Sequence, residues 1–122
     1  MADISYSINA RVADGAFNQS YLATNVTADM ATAGVLSLTL DVGTSTQQIS
    51  TSTINVLGLC FARNLSTVAT HTVTIGRLDS GTLYGACRLK GQEAALFRMS
   101  PGDYGAEAAA DSTRLLINII ED

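Results

Sequence analysis

Tryptophan is absent, histidine occurs once, proline once and cysteine twice. Each scarcity closes off a class of function. Without tryptophan, a sugar-stacking platform would rest on Tyr6, Tyr21, Tyr84 and Tyr104, residues equally at home in ordinary strands. Two cysteines are too few for a disulfide framework. Cys60 and Cys87 both stand in apolar strand contexts and read as buried free thiols. The single histidine, His71, shares a strand face with Val73 and Ile75. No Cys or His stands at metal-ligand spacing from it, so it reads as structural. No serine sits in a G-x-S-x-G elbow. Asp41, Asp79, Asp103 and Asp111 fall in turns, where an Asp side chain bonds its own backbone. The calcium-loop run D-x-[DN]-x-[DN]-G is missing. The expectation is a chain with no catalytic, cofactor or metal site, and hence not an enzyme.

Charge is also scarce. Seven basic residues stand against eleven acidic ones, a net −4 at pH 7. That balance argues against nonspecific nucleic-acid binding, which needs many Lys and Arg contacts to phosphate. No basic segment followed by an apolar one opens the sequence. The longest apolar run, Leu115 to Ile120, is broken by Asn118 and falls far short of the ~20 residues of a spanning helix. The expectation is synthesis in a reducing cytoplasm and no membrane. The first half is emptiest: from Gly15 to Ala62 the charges are Asp29 and Asp41. Such a surface fits one covered by copies of itself or by a partner; a plain Thr-coated β surface is the alternative. Five basic residues, Arg63, Arg77, Arg88, Lys90 and Arg98, gather further along.

What the chain does have is alternation. Ile4, Tyr6 and Ile8 alternate with polar residues, as do Leu36, Leu38 and Leu40. Residues 17–27 are strand-like in content but poorly periodic. Residues 29–34 read as a loop or single helical turn, and Thr44 to Thr53 as an exposed edge strand or a loop. Leu57, Leu59 and Phe61 share one face of the next strand, with Gly58, Cys60 and Ala62 on the other. His71, Val73 and Ile75 follow, then a turn at Asp79-Ser80-Gly81. Leu83 to Asp103 reads as a hairpin, with Lys90-Gly91-Gln92-Glu93 as its turn and Gly91 taking a positive φ. Tyr104, Ala106 and Ala108 mark a short strand. The last strand carries Leu115, Ile117 and Ile119 on one face and Leu116 and Ile120 on the other. A strand apolar on both faces is covered on both.

About eight strands at regular spacing, with no convincing helix, predict a single all-β domain over 1–122. The predicted architecture is an antiparallel β-sandwich, jelly-roll-like. Residues 1–10 are a possible N-terminal arm able to add to a neighbour's sheet edge.

From Phe61 onward the sequence resembles a group of small tailed-phage proteins usually encoded among the virion structural genes. The pieces are Phe61-Ala62-Arg63-Asn64-Leu65, Val73-Thr74-Ile75-Gly76 and Leu89-Lys90-Gly91-Gln92-Glu93. Arg98-Met99-Ser100-Pro101-Gly102 and the terminal Leu115-Leu116-Ile117-Asn118-Ile119-Ile120-Glu121-Asp122 complete the pattern. Gln92 is an extra residue within the Gly-Glu turn. The resemblance covers the last half of the chain and implies a virion component of sandwich fold without enzymatic activity. Two functions fit it. One is a capsid decoration (cement) protein that forms homotrimers on the head and contacts the major capsid protein. It would lie on the virion surface after assembly in the bacterial cytoplasm. The other is a tail or fibre module that binds a receptor or glycan. For the first, Ile4, Tyr6, Ile8, Leu116 and Ile120 are the candidate subunit interface. Arg63, Arg77, Arg88, Lys90 and Arg98 are the candidate capsid contacts.

Overall fold

A computed structural model describes residues 4–30, 34–54 and 56–122. Their regular elements are all strands: β1 (Ile4–Asp14), β2 (Phe17–Ala28), β3 (Val35–Val42), β4 (Gln47–Ile49) and β5 (Leu57–Asn64). β6 (Val73–Asp79), β7 (Thr82–Leu89), β8 (Ala94–Arg98), β9 (Tyr104–Ala108) and β10 (Thr113–Glu121) follow. The fold is all-β as expected, with ten strands rather than about eight. The chain divides into two compact units, Met1–Ala31 and Thr32–Asp122. Residues 31–33 of the 29–34 loop, and the start of the expected N-terminal arm at residues 1–3, lie outside the described residues.

The second unit is a sandwich of two four-stranded sheets, ordered β3-β10-β5-β8 and β4-β9-β6-β7, with every pair antiparallel. Counted from the first strand of the unit, these orders are 1-8-3-6 and 2-7-4-5. That is the strand order of a jelly roll. Six of its seven connections pass from one sheet to the other; β6–β7 alone is a hairpin.

Alternation places the core. Leu115, Ile117 and Ile119 of β10 are fully buried, opposite Val73, Ile75 and Ala106 of the other sheet. In register, Ile117 stands between Leu38 and Ala62, and Ile119 between Leu36 and Cys60. The small residues of β5 thus sit beside the large ones of β10. Both cysteines are free thiols, Cys60 buried and Cys87 half-buried.

The stretch Leu83–Asp103 is not a hairpin. β7 belongs to one sheet and β8 to the other, so Lys90–Glu93 is an arch between them. The Glu93 N–H bonds the Lys90 carbonyl to close a tight turn, and the Glu93 carboxylate accepts from the Lys90 N–H at 2.6 Å. The chain is then drawn onto β5: the Gln92 N–H donates to the Asn64 carbonyl, and the Asn64 N–H to the Glu93 carbonyl. The positive φ falls on Gln92 (71°), not Gly91. Gly91 is required for space, since a Cβ there would lie 2.6 Å and 2.8 Å from the carbonyl oxygens of Val68 and Ser66.

Buried Asn64 ties these loops together. Its amide nitrogen donates to the carbonyls of His71 (2.7 Å) and Leu89 (3.1 Å), and its side-chain oxygen accepts from the Ser66 N–H (3.0 Å).

The first unit is one long hairpin, β1 paired antiparallel with β2, with Gly15 at φ 58° in its turn. The register shifts by one residue between Tyr6 and Ile8. Asn25 sits at φ 52° in that bulge, a conformation Asn tolerates better than most residues, and its N–H bonds the Ser7 hydroxyl.

Candidate functional site

Partners across an antiparallel pair share a face, so the register sorts the hairpin into two sides. One side carries Ile4, Tyr6, Ile8, Ala10 and Val12 of β1, opposite Ala28, Val26, Ala23, Tyr21 and Gln19 of β2. Phe17 closes that row opposite Asp14. The other side is Ser5, Asn9, Arg11 and Ala13 opposite Thr27, Leu22, Ser20 and Asn18. The hairpin is therefore amphipathic. Yet Ile8, Val12, Phe17 and Tyr21 of its apolar side are all exposed. A two-stranded hairpin is marginal at best in water without something to pack on.

The sandwich also has one apolar outer face. In the β3-β10-β5-β8 sheet, the side turned away from the core carries Leu116, Asn118 and Ile120 of β10. Thr39, Ser37 and Val35 of β3 lie beside them in register, with Arg63 and Phe61 of β5 and Ala94 and Leu96 of β8 beyond. Val35 is 64% exposed and Phe61 39%, while Leu116, Ile120 and Leu96 are half-exposed. The Ser37 hydroxyl bonds the Asn118 side-chain oxygen at 2.5 Å, so the polar pair inside this patch is satisfied within it. Charges stand at its ends: Asp41 opposite Arg114 at one, and Arg98 with Asp122 at 3.5 Å at the other. The outer side of the second sheet is more polar, with Gln48, Glu107, Thr74 and Arg88, and the pair Leu78–Leu83 toward one end.

Of the candidate interface residues, Ile4, Tyr6 and Ile8 share the apolar side of the hairpin. Leu116 and Ile120 share the apolar outer face of the sandwich. Phe61 and Leu96 join that face through register; alternation within one strand does not reveal such neighbours. The five candidate basic contacts are spread over both sheets. Arg63 is on β5 and donates to the Gln92 side-chain oxygen, Arg88 is on β7 and Lys90 in the arch. Arg77 and Arg98 lie toward the other end and line a cleft.

That cleft, of about 400 Å³, opens between the edge strands β7 and β8. Ile75, Cys87, Ala95, Phe97 and Tyr104 form its apolar wall. The Arg77 guanidinium lies over the Tyr104 ring, 5.9 Å from its centroid. Burial pushes the Cys60 thiol up to about 12, with neighbouring Cys87 adding to the effect. Cys87 is raised too, by burial first and by Glu93 second. Both thiols are thus held protonated and poorly nucleophilic. Among the described residues, no group of three or more His, Cys, Asp or Glu side chains is placed to hold a metal ion. No family model matches the chain, and no curated protein or solved structure matches it either.

Proposed function

We propose that this chain is a virion structural protein of a tailed phage, a decoration protein that self-associates on the head. The observation that carries the reading is the pair of partly exposed apolar faces, one on the hairpin and one on the β3-β10-β5-β8 sheet. Contiguous apolar patches rimmed by polar residues mark interaction surfaces. Jelly rolls recur in viral capsid proteins, which makes the fold compatible with the role without establishing it. The sequence pattern from Phe61 to Asp122 supports the same assignment. In this reading Leu116 and Ile120 meet another copy, the oligomer is a trimer matched to threefold lattice sites, and Arg63, Arg88 and Lys90 face acidic capsid surface. The test is the copy number in purified particles: decoration requires hundreds of copies. A handful, confined to tails, would favour the receptor-binding alternative.

A further inference from the structure

We infer that the hairpin tip of one copy plugs the cleft between β7 and β8 of a second copy. The two halves of this contact are each legible within one unit. At the tip, Asp14 and Phe17 are directly paired across the two-residue turn, on the same side of the hairpin. Phe17 is 59% exposed, and among the described residues no third strand pairs with the hairpin. The tip therefore presents an aromatic ring beside a carboxylate. With 11 residues in β1, it stands roughly 35 Å from the hairpin's base at ~3.3 Å per residue.

The cleft has the complementary chemistry. Its wall of Ile75, Cys87, Phe97 and Tyr104 is apolar, and its volume of about 400 Å³ accommodates a ring. Its exposed lining includes two cations, Arg77 and Arg98. Arg98 meets Asp122 across a half-exposed surface, and Arg77 is stacked on Tyr104. A ring inserted against Phe97 and Cys87 brings its neighbouring carboxylate to the arginines. A second copy of this chain supplies ring and acid together. Because the two surfaces differ, the contact is head-to-tail, and it closes into a ring when the rotation between copies permits.

This inference rests on the self-association proposed above, and the test separates the two. Phe17→Ser removes the tip and leaves the cleft intact; Ala86→Trp fills the cleft, which Ala86 also lines, and leaves the tip intact. Each variant is compared with the unaltered chain by sedimentation velocity, with circular dichroism to verify folding. Each alone is expected to associate at least about 30-fold more weakly, as for loss of a central anchor. Mixed, the two are expected to associate more tightly than either does alone, through the one intact tip–cleft pair. Should Ala86→Trp not fold, Arg77→Glu with Arg98→Glu takes its place, and Asp14→Lys in the partner should then restore binding. If Phe17→Ser assembles as the unaltered chain does, or the mixture associates no better than either variant alone, the plug is overturned while self-association stands. An unaltered chain that remains monomeric overturns both.

Discussion

Buried Asn64 holds the β5–β6 loop, the end of β7 and the arch together. Its side chain satisfies three backbone groups, two in that loop and one at Leu89, and its own backbone bonds both Gln92 and Glu93. Asn64→Ala would leave the carbonyls of His71 and Leu89 without their donor. The expected loss is about 2–4 kcal/mol of unfolding free energy, read from urea titrations. In the sequence, Asn64 is only the middle of Arg-Asn-Leu, and nothing local signals a buried residue. The departure at Gln92 likewise gains a meaning only in three dimensions: its side-chain nitrogen donates to the carbonyls of Leu65 and Ser66, both at 3.1 Å. The extra residue thus helps hold the arch to the loop after β5. Cys60 supplies a pH test. Its folded-state thiol is raised to about 12 from 9.0, so the folded protein keeps its proton longer than the unfolded chain. That contribution to stability is complete below pH 9 and is lost as pH rises toward 12. Cys60→Ala, although less stable overall, should lose less stability over that interval, measured by denaturant midpoints at stepped pH.

At the scale of elements, alternation was a sound guide to faces and a poor guide to partners. It placed Leu115, Ile117 and Ile119 together, and it marked Leu116 and Ile120 as a second apolar row. It did not distinguish a hairpin from an arch at Leu83–Asp103. Cys87 and Leu89 on one side of the turn, and Ala95 and Phe97 on the other, face the core in either arrangement. The distinction lies in hydrogen bonds from the arch to Asn64, far away in sequence. Residues 17–27 read as poorly periodic because the bulge at Asn25 shifts the register by one. Once the shift is allowed for, Tyr21 and Ala23 line up with Val26 and Ala28. The candidate interface was therefore half legible: the β10 row from periodicity, its neighbours Phe61 and Leu96 only from register. If that face is an interface, Ile120→Asp places an unpaired carboxylate in it. Assembly should weaken by about several kcal/mol, seen as a concentration-dependent shift toward monomer in sedimentation. Secondary structure should be unchanged, because Ile120 points away from the core.

The whole molecule combines a jelly roll, built on its own core, with an amphipathic hairpin that has none. The jelly-roll-like sandwich was anticipated from strand count and spacing; its strand order and the separate hairpin were not. Residues 1–10 read as a possible arm and 17–27 as a poorly periodic strand, and nothing in either showed that they pair, since amphipathic alternation is the same whether or not the apolar side finds a core. Two apolar faces in a charge-poor chain make isolation costly and association favourable. That is the physical basis for reading the protein as part of a larger assembly. The most direct test of the proposed role is quantitative mass spectrometry of purified heads and tails of the phage assigned to it by that proposal, with sedimentation of the isolated protein alongside. The account predicts hundreds of copies on heads and a homo-oligomer at micromolar concentration. A protein that is absent from heads and sediments as a monomer would contradict it.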